Sequence, residues 1–213
     1  MDPRAKKIVT LGTHHVCYFL MGERIPDKGE TVLGDHYFVE GGGKGSNQAC
    51  ACSILGGNVK LIQNLGDDEG GRTAKKEFAE YGLSTEYVRL LPDQKTGLAP
   101  IFIDKDGNNS IMIFPGAHGN YKPEDIDAAT EAFEGAFMAS FVLEANLDAV
   151  FYAMKKAYDM GVPIFLDPAP VKEFDPEIYK YLTYIKPNEH EASLYSGIEV
   201  TDYASAEQAG RWF

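Results

Sequence analysis

The sequence predicts an α/β protein: a central, mostly parallel sheet flanked by helices, with a small extra β-sheet. Three observations predict it. After Pro123, strand and helix patterns alternate at the spacing of β–α–β units. Before it, a glycine run at Gly41–Gly45 joins extended segments to a helix built of small residues. An Asp-Gly turn within Leu98–Phe114 marks a hairpin that does not fit the alternating rhythm, so it belongs to a separate β element.

Lys7–Leu11, closed by Gly12, reads as a buried strand. Val16–Met21 and Thr31–Val39 read as two further strands, split by the turn-rich Ile25–Gly29. A helix opens at Ser46, carries Ala49, Ala51 and Ser53, and stops at Gly56-Gly57. Val59–Gln63 reads as a strand and Glu69–Glu80 as an amphipathic helix. Leu98–Asp104 and Ser110–Phe114 are the hairpin arms. Then come helix Glu124–Phe133, strand Phe137–Leu143, helix Leu147–Met160 and strand Pro163–Leu166. A short helix near Asp175–Lys180, strand Thr183–Ile185 and helix Glu189–Ser196 follow. Asp202 caps a last helix through Trp212. That helix has no C-cap before Phe213 and no later strand to cross to, so the expectation is one incomplete domain over 1–213, the N-terminal part of a longer protein.

Composition narrows the function classes. The 213 residues are 44% hydrophobic and 24% charged, which excludes a disordered chain, a collagen and a coiled coil. A net charge of −12, from 32 acidic against 20 basic residues, disfavours nucleic acid and anionic membrane as partners. No apolar run spans a bilayer, and the short run Ile8–Leu11 is no signal-peptide core. Cys17, Cys50 and Cys52 make no disulfide framework, so a reducing cytoplasm is the expected location.

The informative segment is Gly41-Gly42-Gly43-Lys44-Gly45-Ser46-Asn47-Gln48-Ala49. Glycines let a ligand approach main-chain amides, and a helix start points orphan N–H groups and the positive dipole end at it. The run is neither a Walker A loop nor a G-x-G-x-x-G fingerprint, so an oxidoreductase of the dinucleotide-binding type is a poor reading. The plain alternative is a glycine-rich turn before a packed helix.

This segment resembles the N-terminal signature of the ribokinase (PfkB-type) carbohydrate kinase family. Other pieces match in that family's order: Pro26–Thr31, the turn Gly66-Asp67-Asp68-Glu69-Gly70-Gly71, Leu143-Glu144, Asp167-Pro168-Ala169-Pro170, and Lys186-Pro187-Asn188-Glu189-His190-Glu191. The resemblance covers the chain from Lys7 onward. It implies a ribokinase-like fold with a β-sheet lid from strands near 16–21, 31–39, 97–104 and 109–115. It implies ATP-dependent phosphorylation of a primary hydroxyl on a sugar, with ATP and Mg²⁺ as cofactors, a monovalent cation in the complete protein, and a homodimer formed through the lid. Gly42, Gly43, Lys44, Gly45, Asn47 and Glu144 fall on sugar-binding positions, Asn188 on a nucleotide-phosphate position, and Glu191 on one that orders water around Mg²⁺.

Two departures qualify what the resemblance implies. The family carries Asn and Asp after its first strand, where this chain has His15 and Cys17; both face the substrate by position, but Cys is a poor hydroxyl acceptor. Two adjacent histidines and one cysteine do not make a convincing metal site. The family's C-terminal Gly-Ala-Gly-Asp, which holds the catalytic base, has no counterpart: Pro115-Gly116-Ala117-His118-Gly119 lacks the Asp and comes too early. The nucleotide-binding C-terminal part and the base are therefore expected beyond Phe213, and the chain alone is expected to be inactive. The rival readings are a non-catalytic sugar- or nucleoside-binding relative and a nucleoside kinase.

Overall fold

The computed structural model describes residues 6–213. A six-stranded, all-parallel sheet has the order β10-β9-β8-β1-β4-β5. Its strands are β1 (Lys7–Leu11), β4 (Asn58–Gly66), β5 (Val88–Leu91), β8 (Met138–Val142), β9 (Ile164–Asp167) and β10 (Tyr184–Ile185). A four-stranded mixed sheet, order β3-β2-β6-β7, stands beside it. It is built from β2 (His15–Met21), β3 (His36–Gly42), β6 (Gly97–Ile103) and β7 (Asn109–Ile111).

Side-chain alternation along the parallel strands feeds two cores, one on each face. Leu61 and Leu65 of β4 pack with Ala49 of α1 (Lys44–Ile54) and with Ala74 and Phe78 of α2 (Glu69–Glu80). On the other face, Val9, Leu11, Phe141 and Leu166 pack with Phe133 and with Val150 and Met154 of α5 (Leu147–Asp159). Fully buried side chains such as Leu61 and Phe141 each contribute about 1.5–3 kcal/mol. Because all six strands run the same way, Thr13, Glu144, Asp167 and Lys186 emerge along one edge, the carboxyl ends where ligands of open α/β sheets collect. Among the described residues no helix is long and apolar enough to cross a membrane.

Several sequence expectations are corrected. The third strand is His36–Gly42, not Thr31–Val39. Its register explains this: β2 pairs residue for residue from His15↔Gly42 to Met21↔His36, and only the Asp35 N–H, donating to the Met21 carbonyl at 2.9 Å, extends the pairing toward residue 31. The next helix opens at Lys44, two residues before the expected Ser46. The expected helix Glu124–Phe133 is two short ones, α3 (Pro123–Asp127) and α4 (Thr130–Phe133). Asp127 ends the first, its carboxylate accepting from Tyr152 and Lys156 of α5. The segment near Asp175–Lys180 is a 3₁₀ helix, Pro176–Tyr181, and β5 was not foreseen. Glu69–Glu80 is α2, Glu189–Ser196 is α6, and α7 runs Tyr203–Trp212 from the Asp202 cap.

The small sheet has two unlike faces. Cys17 pairs with Glu40 and Ala99, and Phe19 with Phe38 and Ile101, so these share the face toward Glu144. Ile101 in turn pairs with Ile111 across the hairpin. The opposite face carries Val16, Tyr18, Val39 and Leu98 and walls a cleft of about 710 Å³ with the first turns of α2. Asp68 ties this sheet to the body: it caps α2 through Gly71 N–H and accepts from both the N–H and the hydroxyl of Thr96, at the foot of β6.

Candidate functional site

The site forms where β1 and β8 end against the start of α1. Gly43, the cap of α1, has φ 109°, and a Cβ there would lie 2.2 Å from the Thr13 carbonyl oxygen. Only glycine lets α1 start this close to the β1 exit. At Gly42 the crowding comes from the lid side, where an added Cβ would meet the Cys17 sulfur at 2.6 Å.

Glu144 is the centre of the arrangement. Its Oε2 accepts from the Thr13 hydroxyl at 2.6 Å and from the Lys44 N–H at 2.7 Å; its Oε1 accepts from Lys44 Nζ at 3.0 Å. Burial pushes its carboxyl pKa up. The Thr13 hydroxyl and the Lys44 charge and amide outweigh that and leave it below the ordinary value. The carboxylate is thus itself the anion at the positive end of α1.

This corrects the expectation that the helix-start amides are free for a guest. Lys44 N–H goes to Glu144, Gly45 N–H to the Thr13 hydroxyl at 2.9 Å, Ser46 N–H to the Thr13 carbonyl, and Asn47 N–H to Gly43. Among the described residues the Gly43 N–H has no partner, and the other groups that keep capacity are side chains. Lys44 Nζ is half-exposed, and the Asn47 side chain is exposed with no protein partner among the described residues. Thr13, fully buried, was not singled out in the sequence; it stands directly after the strand-closing Gly12.

His14, His15 and His118 are buried where β2 begins, each at most 3% exposed. His14 donates its N–H to His118 Nδ1 at 3.3 Å, and the His15 and His118 rings meet edge to face with centroids 4.6 Å apart. Burial, reinforced by His15, lowers His14 to about 4 and His118 to about 3. Burial also lowers His15, against the pull of Glu144. Cys17 donates its S–H to the His15 carbonyl at 3.7 Å, and burial, Glu144 and Glu40 raise its pKa, so it is a neutral thiol. Cys50 and Cys52 are free thiols as well. Among the described residues no group of three or more His, Cys, Asp or Glu could hold a metal ion.

Farther along the strand ends, Gln48 of α1 bridges Ser140 and Asp167, accepting at 2.7 Å and donating at 3.0 Å. Lys186 Nζ approaches the same Asp167 oxygen at 3.4 Å, while Asp167 Oδ1 is buried with no partner among the described residues. Gln48 lies one turn after Lys44, the spacing that could have flagged it. Asn188 and Glu191 form a capping box at the start of α6: Asn188 Oδ1 accepts from Glu191 N–H at 2.8 Å, and Glu191 Oε2 from Asn188 N–H at 2.9 Å. Among the described residues that leaves Asn188 Nδ2 and Glu191 Oε1 uncommitted. The segment Pro115–Gly119 enters a 3₁₀ helix that buries His118.

Known proteins share this arrangement of strands. The chain is 38% identical over 209 residues to the bifunctional ribokinase/ribose-5-phosphate isomerase A of Fructilactobacillus sanfranciscensis, covering 98% of this chain and 39% of that protein. The structure of Arabidopsis thaliana ribokinase complexed with ribose and ATP superposes with a TM-score of 0.86 at 26% identity, over 99% of this chain and 68% of that one. A nucleoside kinase from Burkholderia thailandensis in complex with inosine superposes with a TM-score of 0.73 at 25% identity, over 94% and 65%. The model of the pfkB family carbohydrate kinases matches residues 5–213, and the chain belongs to that family.

Proposed function

We propose that this chain carries the sugar-binding half of an ATP-dependent kinase that phosphorylates a primary hydroxyl of a ribose-like sugar. The observation that carries the reading is the buried Glu144 carboxylate clamped by Thr13 and Lys44 at the start of α1, under the inner face of the small sheet. Glu144 retains one free lone-pair direction on Oε1 for a hydroxyl, and Asn47 offers both a donor and an acceptor. The small sheet acts as a lid, with Ala99 and Ile101 on the face that covers the sugar; excluding water there keeps the phosphoryl group from hydrolysis.

ATP with Mg²⁺ supplies the transferable phosphoryl group and the charge neutralisation. The residues fit a hydrated Mg²⁺, which keeps several waters and few protein ligands: Asp167 has one buried oxygen without a partner, and Glu191 has one outside its capping box. Lys186 and Asn188 Nδ2 stand by for phosphate oxygens. No residue of this chain is assigned as the base that deprotonates the hydroxyl; that group belongs to the C-terminal part that the relatives contain.

The test is a calorimetric and thermal-shift panel of ribose, 2-deoxyribose and inosine. The chain is expected to bind a member of the panel, with ribose the first choice. A nucleoside preference would favour the second reading, which rests on the likeness to the inosine-bound nucleoside kinase. Binding to none would overturn both. The 213-residue chain is also expected to show no sugar-dependent ADP release, whereas a version extended by its natural downstream sequence does; turnover by the short chain would place the base within it.

The lid also pairs two copies. The isoleucines of the hairpin lie on the inner face, so the pairing surface is the outer one, where Tyr18, Tyr37, Val39 and Leu98 are 37–67% exposed. Light scattering is expected to report a dimer for the chain and a monomer for Tyr37→Asp.

A further inference from the structure

We infer that Glu40 is a specificity-determining residue of this site: it reaches across the lid from β3 to accept a sugar hydroxyl that the Cys17 position cannot. The inference rests on the sugar-kinase reading above.

A bound polyol brings one hydroxyl donor per carbon and needs acceptors to match. This site is rich in donors and short of acceptors. Glu144 already takes three hydrogen bonds, from Thr13, Lys44 N–H and Lys44 Nζ. Cys17 turns its S–H to its own strand, and a neutral thiol accepts weakly. Glu40 differs from both. It is the register partner of Cys17 in the antiparallel β2–β3 pair, so the two side chains leave the same face, the one toward Glu144. It lies close enough for its charge to act on the Cys17 thiol. Among the described residues it has neither a hydrogen-bond nor an ion-pair partner and is exposed on the lid. A long carboxylate beside a short thiol fills the role that a single short carboxylate at position 17 would have. Closure of the lid would carry it onto the sugar. The competing role is plain: β3 is an edge strand, and an inward-pointing charge there guards against edge-to-edge pairing.

The experiment is calorimetric titration of the 213-residue chain with whichever of ribose, 2-deoxyribose or inosine it binds best. Glu40→Gln is expected to weaken that ligand by roughly tenfold to a hundredfold, the worth of a charged hydrogen bond, with an unchanged ligand-free melting temperature. Glu40→Ala combined with Cys17→Asp is expected to regain most of what Glu40→Ala loses. Glu40→Asp, one methylene shorter, provides a second measure and is expected to fall between wild type and Glu40→Ala. If wild type binds and Glu40→Gln binds within twofold of it, the inference is overturned. Self-association of Glu40→Gln with unchanged affinity would assign the residue to edge protection instead. If wild type binds no member of the panel, it is the sugar-kinase reading that fails.

Discussion

Replacing Glu144 by alanine is expected to cost about 2–4 kcal/mol of stability and to abolish sugar binding. The arithmetic follows from what the carboxylate holds. Its removal strands the Lys44 N–H and the Thr13 hydroxyl, both inward-facing donors, at about 1–3 kcal/mol each. Breaking a fully buried ion pair costs about 3–5 kcal/mol. The Lys44 side chain is 43% exposed, however, and can turn its ammonium to water, so most of the Coulomb share is discounted. Glu144→Gln keeps an acceptor for the Thr13 hydroxyl and the Lys44 N–H but loses the charge and the second acceptor that Lys44 Nζ uses; with that ammonium free to turn to water, it is expected to cost about 1–2 kcal/mol. Thr13→Val, close in shape and lacking the hydroxyl, is expected to fall between them, because the Gly45 N–H also loses its acceptor. Urea unfolding ranks the three, and titration with ribose reads the site. Glu144→Ala as stable as wild type would mean that the start of α1 is held by packing alone.

That cluster also shows where the sequence could and could not be read. Helices α2 and α6 were legible to the residue because their caps are written locally: Asp68 accepts from Gly71, and Asn188 and Glu191 cap reciprocally. The start of α1 was not, because its cap is a bare glycine and the group that fixes it, Glu144, lies 100 residues away. The third strand slid by several residues for the same kind of reason. Thr31 and Val32 have β propensity, but pairing with β2 decides where the strand lies. β5 has only four residues, one of them Arg89, and exists by pairing with the end of β4. At the site, glycine spacing pointed to α1, and the family resemblance pointed to Glu144. Neither could show that Glu144 takes the Lys44 N–H and Thr13 the next two amides, nor that Gln48 and Asp167 join them along the strand ends. Those links are tertiary and leave no local signal.

Acid is expected to unfold this protein earlier than its carboxylates alone would allow. His14 and His118 are buried and lowered from 6.5 to about 4 and about 3, so the folded protein refuses protons that the unfolded chain accepts below pH 6.5. Their folded pKa values are depressed; the stability they confer is therefore complete above 6.5 and drains as pH falls toward 4. Each loses about 1.4 kcal/mol per pH unit in that window. At pH 5 the pair has lost roughly 4 kcal/mol, a large part of the 5–15 kcal/mol of a typical domain. Glu144 and Asp68, also lowered, act in the same direction but only below the ordinary carboxylate range. Urea unfolding at pH 7.5, 6.5, 5.5 and 5.0 separates the two windows. His118→Gln, which keeps an acceptor for the His14 N–H and cannot titrate, is expected to make the slope between 6.5 and 5 shallower, with His14 and the also lowered His15 supplying what remains. A flat profile from pH 7 to 5 would overturn the assignment of both histidines as neutral buried groups. The consequence reaches the site, because His14 precedes the first lid strand and His118 follows the hairpin's return. The two charges would form where both ends of the lid join the body, and the lid is the element expected to loosen first.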